Sequence, residues 1–224
     1  MEKGLKEKLL EQMTFWEYMT EPQRQVFLDQ GRILTFRDKE LIYSPARECL
    51  GLILMISGTA RVYLTGDDGR RATVFRLRKE DSCVLSMSCL LSAITFDVEI
   101  EAEEECSLLL IPSRTFAMIS KENVYVENFS YKVVTEHFSD VMQAVQQLLF
   151  MSLEQRIAAF LLDESAAVKS DEIVITQERL AESIGSAREA VSRLLKKLAD
   201  RELLEVKRGV IRLLDKEGLY HLIS

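Results

Sequence analysis

The stretch Thr176–Leu198, TQERLAESIGSAREAVSRLLKKL, has the pattern of two short helices joined by a sharp turn. Gly185 stands at the joint, where the backbone needs a residue that accepts a positive φ. Ser186 is predicted to cap the second helix, with Glu189 as its capping-box partner. Apolar residues recur at helical spacing on the inner faces: Leu180, Ala181 and Ile184, then Val191, Leu194, Leu195 and Leu198. This pattern predicts a helix-turn-helix, whose second helix is suited to enter a DNA major groove.

The outward face of the second predicted helix carries groups that can bind base edges. Arginine can bind guanine O6 and N7 with two hydrogen bonds, and glutamate can accept from cytosine N4. The alternative is a solvated charged face, with Glu189 acting only as a cap. The small residues Ala181 and Gly185, which let the two helices approach closely, favour the DNA interpretation. Helical spacing places these side chains opposite the leucines: Arg188, Glu189, Ser192, Arg193 and Lys196.

A hairpin with a basic tip is predicted directly after these helices. Leu203–Val206 and Val210–Leu214 flank Lys207, Arg208 and Gly209. Over residues 186–212, eight lysines and arginines stand against four acidic residues, a net charge of +4 in a chain whose total is −7. A basic patch on an acidic chain is typical of sequence-selective DNA binding, and we expect Lys207 and Arg208 to contact phosphates.

The composition indicates a globular protein of the cytoplasm. The chain has 224 residues, of which 47% are hydrophobic and 29% are charged, and no apolar run is long enough to span a membrane. The N-terminus lacks the apolar core of a secretion signal. We therefore expect the four cysteines to be thiols in a reducing compartment.

The N-terminal half is predicted to be mainly β. Residues 5–30 have a helical pattern, and Pro22 is expected in a first helical turn. From Gly31 onward, turn signals separate short β-prone runs: Ile33–Phe36, Leu41–Tyr43, Leu52–Ile56, Ala60–Leu64, Ala72–Leu77, Val98–Ala102 and Ser107–Ile111. Strands about ten residues apart predict an antiparallel sandwich or jelly-roll barrel. The helical pattern returns at Ser113–Ile119.

A long helix is predicted over Val124–Phe150, which contains no proline or glycine. Its apolar residues step by three and four, like the seam of a coiled coil: Tyr131, Val134, Phe138, Val141, Val145 and Leu148. This seam could simply pack on the barrel. A dimer interface is the favoured interpretation, because DNA readers of this kind usually bind as two-fold dimers. Ser152 and Gln155 predict the cap of a further helix, ending near Ala167.

The whole plan resembles the bacterial family of the cyclic-AMP receptor protein and FNR. Arg188-Glu189, Val191 and Arg193 match the R-E-x-V-x-R recognition segment of that family. The resemblance implies an α+β fold, with an antiparallel β-roll sensor domain over 1–123, a long dimerisation helix over 124–151 and a winged helix-turn-helix over 152–224.

The resemblance also implies partners and residue roles. It implies a homodimer bound to palindromic double-stranded DNA, with RNA polymerase as a further candidate partner. Arg188, Glu189 and Arg193 would read base edges. Ala187 and Ala190 stand where many members carry hydroxyl groups that bind phosphates, so Ser192, Lys196 and the hairpin are expected to hold the DNA backbone.

One departure from the family concerns its effector. Members that bind cyclic nucleotides carry a Gly-Glu pair for the ribose and an Arg-Ser pair for the phosphate. The matching stretch, Asp81–Val98, contains neither pair and no lysine or arginine. A cyclic phosphate without a cation would lose a charge-assisted hydrogen bond of roughly 1.5–3 kcal/mol, and Asp97 would repel it. We expect an effector other than cyclic AMP or GMP, and no cofactor is assigned.

The same stretch supplies the candidate effector pocket: Cys83, Ser86, Ser88, Cys89 and Thr95. In one interpretation the two cysteines are small buried hydrophobes that line a pocket for a neutral or apolar molecule. In the other they form a thiol pair that senses oxidants or binds metal or haem. Their six-residue spacing is not that of structural zinc, and no cysteine precedes Cys49 to hold an iron–sulfur cluster.

An enzyme is not expected. The available set of nucleophile and base is Cys83 or Cys89 with His137, and nothing in the sequence orients it. The chain also lacks a glycine-rich phosphate loop or a metal motif. We therefore predict no catalytic residues and no metal site.

Overall fold

The structure, a computed structural model, describes residues 2–46, 49–67, 69, 71–87 and 98–223. The chain divides into two units, the first formed by Met1–Leu64 with Val74–Val141 and the second by Thr65–Thr73 with Met142–Ser224. Among the described residues, none of the helices has the length and apolar character that crossing a bilayer requires.

Two four-stranded sheets form most of the first unit. Their strands run in the orders β1-β8-β3-β6 and β2-β7-β4-β5. Pairing is antiparallel, with Leu52 opposite Ile111 and Val62 opposite Ile100. The predicted antiparallel sandwich is therefore confirmed; β6 was not predicted because two residues show no alternation. The strands are β1 (Arg32–Phe36), β2 (Leu41–Tyr43), β3 (Gly51–Ser57), β4 (Ala60–Thr65), β5 (Arg71–Leu77), β6 (Ser82–Cys83), β7 (Glu99–Ala102) and β8 (Cys106–Pro112).

Two hydrophobic cores hold this unit together. One contains inward-facing side chains of both sheets: Ile53, Met55, Val62, Leu77, Cys83, Ile100 and Leu108. The other joins the sheet that contains β3 and β8 to the helices through the aromatic side chains of Phe15, Phe27, Phe116 and Phe129. Burial of such large apolar side chains contributes roughly 1.5–3 kcal/mol each.

The helices of the first unit surround the aromatic core. The predicted helical stretch 5–30 is broken into α1 (Glu2–Leu10), a 3-10 turn at Trp16–Tyr18 and α2 (Glu21–Gln30). Pro22 lies in the first turn of α2, as predicted. After the sheets come α3 (Ser113–Glu122) and the long helix α4 (Val124–Phe150), whose predicted bounds are confirmed.

The second unit is helical with a small sheet. Its elements are α5 (Leu153–Val168), β9 (Glu172–Val174), α6 (Gln177–Ser183), α7 (Arg188–Asp200), β10 (Leu204–Lys207), β11 (Val210–Leu213) and α8 (Lys216–Ile223). The sheet has the order β10-β11-β9. The predicted cap of α5 is confirmed, because the Gln155 amide donates to Ser152 Oγ at 3.2 Å and the Ser152 amide donates to Gln155 Oε1 at 2.8 Å.

Candidate nucleic-acid interface

The helix-turn-helix consists of α6 and α7. The Arg179 amide donates to Thr176 Oγ1 at 3.2 Å, which caps the start of α6. After α6 the chain turns at Gly185, whose φ of 64° confirms the predicted left-handed position. The inner faces pack in one core with α5 and α8, and this core includes Leu180, Ala181, Ile184, Val191, Leu195 and Leu198. The predicted inner face is confirmed, with Leu194 partly buried at its edge.

The predicted cap of α7 is wrong. Ala187, not Ser186, occupies the N-cap position, and it contributes no side-chain hydrogen bond. The reason is that the Ser186 amide donates to the Ala181 carbonyl at 2.9 Å, which closes the C-terminal turn of α6. Ser186 therefore belongs to the end of α6. Glu189 is exposed and has no hydrogen bond or ion pair within the described part of the chain, so it is not used as a cap.

The outward side of α7 carries two kinds of cation. Arg188, Arg193 and Lys196 are exposed, and none has an ion-pair partner among the residues that the structure describes. Lys197 and Arg201, in contrast, each contact a carboxylate oxygen of Glu154 at 2.8 Å. The first three are the cations that the sequence predicted to bind DNA. Ser192, also predicted, is half-buried beside them.

The basic hairpin after α7 is formed by β10 and β11. Arg208 and Gly209 make its two-residue turn, with Gly209 at φ 75°. The Arg208 side chain is exposed, without an ion pair to any described residue. Lys207 Nζ lies 3.0 Å from a carboxylate oxygen of Glu205, so its charge is partly compensated. The third strand, β9, was not predicted.

The exposed apolar side of α4 differs in part from the predicted seam. Tyr131, Phe138, Val145 and Leu148 are exposed. Val134 and Val141 are partly buried against the two cores of the first unit. The residues that recur on one exposed side are Tyr131, Phe138, Met142, Val145 and Leu149, which we call the α4 stripe. Phe138 is 61% exposed and Leu149 is 70% exposed.

The described part of the candidate effector pocket is tightly packed. Cys83 is fully buried in the core between the sheets. Ser86 is also buried, and its hydroxyl donates to the Gly51 carbonyl. Ser88, Cys89 and Thr95 lie outside the described residues. Thus the two described side chains take part in packing and in a main-chain hydrogen bond.

The cysteines do not all match the thiol expectation. Cys83 and Cys106 are free, as expected, but Cys49 is disulfide-bonded. Burial raises the pKa of Cys83 to about 12 and that of Cys106 to about 11. Since the thiolate is the form that reacts with oxidants and binds metals, the raised pKa values argue against a sensor role for Cys83.

Cys83 is expected to resist alkylation by iodoacetamide at pH 7.5 in the folded chain and to react fully in urea. With a pKa of about 12, fewer than about one thiol in ten thousand is ionised at that pH. The stability that the neutral thiol contributes is fully present below pH 9.0 and is lost as the pH rises toward 12. Peptide mass spectrometry measures the labelling, and rapid modification of the native chain would contradict this assignment.

His137 anchors α4 to both sheets of the first unit. Its Nε2 donates to the Ser82 carbonyl at 2.9 Å, and its ring stacks on Phe75 with the centroids 4.2 Å apart. Its Nδ1 lies 3.4 Å from a carboxylate oxygen of Asp140. These contacts give the histidine a structural role. Within the described residues, no group of three or more histidine, cysteine or acidic side chains could hold a metal ion.

A winged helix-turn-helix that follows a β-roll and a long helix defines a class of DNA-binding transcription regulators. Two family models match the chain: the Cyclic nucleotide-binding domain over residues 33–123 and the Crp-like helix-turn-helix domain over residues 155–222.

Known proteins with similar sequences and structures point to the same class. A transcriptional regulator of the Crp/Fnr family from Eubacterium rectale is 34% identical, with a TM-score of 0.90, over 94% of this chain and 97% of that one. The cAMP-activated global transcriptional regulator Vfr of Pseudomonas aeruginosa is 25% identical over 75% of this chain and 81% of its own length. The cAMP-activated global transcriptional regulator CRP of Pasteurella multocida is 23% identical over 82% of this chain and 90% of its own. The chain therefore belongs to the Crp/Fnr family of DNA-binding transcriptional regulators.

Proposed function

We propose that the chain acts as a homodimer that binds a palindromic double-stranded DNA site and responds to an effector other than cyclic AMP. The observation that carries the proposal is the exposed, uncompensated charge of Arg188, Arg193 and Lys196 on one side of α7. Cations without an ion-pair partner bind phosphates and base edges without first breaking a bond within the protein.

Each polar side chain of the interface has a role that its chemistry suits. Arg188 and Arg193 bind guanine, and Glu189 accepts from cytosine. The residues that contact phosphates are Ser192, Lys196, Lys207 and Arg208. Lys207 contributes less than Arg208, because Glu205 competes for its charge at 3.0 Å. Phosphate contacts position the helix, whereas base contacts give sequence preference.

The α4 stripe supports the homodimer. Exposed aromatic and aliphatic side chains that recur at intervals of three, four and seven residues are suited to pack against the same surface of a second copy. Pairing of two α4 helices sets the two copies of α7 at a fixed spacing, as a palindromic site requires. A signal sensed in the β-roll would shift α4, and with it that spacing. Such a regulator acts in the cytoplasm, with RNA polymerase as a further partner.

The charges of the β-roll support an effector other than cyclic AMP. No cation lies in the sequence between Asp81 and Val98. Two arginines of the β-roll that are mostly buried contact carboxylates: Arg61 with Glu101 at 3.0 Å, and Arg76 with both oxygens of Glu103 at 2.6 and 3.0 Å. A cyclic phosphate that bound either arginine would compete with these carboxylates for the guanidinium group.

Cyclic AMP is expected to bind the full chain at least about 10- to 150-fold more weakly than it binds a cyclic-AMP-activated relative, because a missing charge-assisted bond costs roughly 1.5–3 kcal/mol. Isothermal titration measures this, and a cyclic-AMP-activated relative serves as the positive control. Micromolar binding would contradict the effector part of the proposal and would leave DNA binding untouched. DNA binding itself is tested by substitutions of Phe138 in α4 and of Arg188 and Arg193 in α7.

A further inference from the structure

We infer that Arg156 and Glu154, in the first turn of α5, are positioning residues that fix the orientation of α7, the former at the turn before it and the latter at its C-terminal end. The inference rests on the proposed DNA binding and adds two residues that control it without touching DNA. We call Glu154 and Arg156 the α5 clamp.

Arg156 holds the turn that precedes α7. Its Nη1 donates to the carbonyl of Ile184 at 2.7 Å. Ile184 is the C-cap residue of α6, where carbonyl groups lack partners within the helix and a positive charge is favourable. The next residue is Gly185, whose positive φ sets the direction of the chain into α7. The guanidinium therefore fixes the point from which α7 departs.

Glu154 holds the C-terminal end of α7. Its two carboxylate oxygens accept from Lys197 Nζ and Arg201 Nη1, each at 2.8 Å. The Glu154 side chain is only 19% exposed, so it is screened less by water than a surface carboxylate. Lys197 lies in the last turn of α7 and Arg201 directly after it. One carboxylate thus ties the C-terminal end of α7 to α5.

The position of the α5 clamp in the chain gives it a role in transmission. Ser152 caps α5 two residues after the end of α4 at Phe150. Glu154 and Arg156 follow the cap at the second and fourth positions. Because the two clamp residues contact the turn before α7 and the C-terminal end of α7, a rotation of this first turn is passed to the whole recognition helix. The clamp also withholds Lys197 and Arg201 from phosphates.

The test compares variants of the full chain on two probes: a duplex that the wild-type chain selects from a random library, and a scrambled duplex of equal length. Glu154→Gln and Arg156→Met are expected to lower affinity for the selected duplex at least tenfold. Affinity for the scrambled duplex stays within twofold for Arg156→Met and rises for Glu154→Gln, because Lys197 and Arg201 become available to phosphates. The salt dependence of Glu154→Gln binding should therefore steepen by about one charge or more.

Two further variants serve as controls. Arg156→Lys keeps one donor for the Ile184 carbonyl and is expected to retain most of the preference for the selected duplex. Glu217→Gln alters an exposed glutamate of α8 that has no ion pair to the described residues, and it should change nothing.

A purely structural role predicts a different result. In that case the substitutions lower the melting temperature, but the ratio of selected to scrambled affinity, measured well below each melting temperature, stays at the wild-type value. An unchanged ratio would overturn the inference. If Arg156→Met does not fold, Glu154→Gln decides between the two roles by the same ratio. A wild-type chain that selects no duplex contradicts the proposed function, and the clamp with it.

Discussion

Replacing Phe138 by glutamate is expected to convert the dimer into monomers and to weaken binding to the selected duplex by more than about 100-fold. Phe138 is 61% exposed in the single chain and lies near the middle of the α4 stripe, so each copy would bury it against its partner. Burying a large apolar side chain is worth roughly 1.5–3 kcal/mol, and an unpaired carboxylate in its place adds a penalty. The dimer suffers this cost twice, because both chains carry the substitution. A monomer also loses the gain of roughly 10²–10⁴ in affinity for DNA that two linked half-sites provide.

The measurement is sedimentation equilibrium of the full chain together with fluorescence anisotropy on labelled duplex. Gln143→Glu is the matched control, because it places the same charge at an exposed polar position of α4 outside the stripe. The fold of the single chain should persist in both variants, since neither side chain is part of a core. A Phe138→Glu chain that remains dimeric and binds DNA normally would show that the α4 stripe is not the interface.

Arg193→Ala and Arg188→Ala are each expected to cost about 1–3 kcal/mol on the selected duplex, or roughly 5- to 150-fold in affinity. Each should also relax base choice at one position in each half-site. Both side chains are exposed and have no ion-pair partner in the described chain, so their removal leaves no stranded carboxylate and no cavity. The melting temperature should therefore stay within about 1–2 °C of the wild-type value, as for an ordinary surface substitution.

Arg208→Ala is the matched control for these substitutions, because it removes an exposed arginine from the hairpin tip rather than from α7. It should weaken selected and scrambled duplexes alike and reduce the slope of log affinity against log salt by about one. Competition binding over a panel of single-base variants measures both effects. Equal losses on selected and scrambled DNA for Arg188→Ala and Arg193→Ala would remove these residues from base recognition.

The parts of the fold that depend on local pattern could be predicted from the sequence. Gly185 marked the turn between α6 and α7, because a positive φ there excludes most residues. The capping box of Ser152 and Gln155 marked the start of α5. The strands of the β-roll were recognisable from alternation and turn residues, except for the two residues of β6.

The parts of the fold that depend on tertiary contacts could not be predicted from the sequence. Ser186 is a better helix cap than Ala187 by preference, but the Ser186 amide already closes α6 on Ala181, so the cap moves one residue on. The spacing of Val134 and Val141 fits a dimer seam and a core equally well, and in the structure both side chains are partly buried against the cores of the first unit.

The charge count over residues 186–212 likewise gave no sign that Lys197 and Arg201 are paired. Their partner, Glu154, is 43 and 47 residues away in the chain. Only the three-dimensional structure separates these paired cations from Arg188, Arg193 and Lys196, which have no ion-pair partner among the described residues.

Selection of a random duplex library by the purified chain, followed by native mass measurement of the complex, tests whether two chains together bind a palindromic DNA site. We expect enrichment of a two-fold symmetric sequence, with half-sites one helical turn (~34–36 Å) apart, bound by two chains. Recovery of unenriched sequences, or a complex with one chain per duplex, would contradict it.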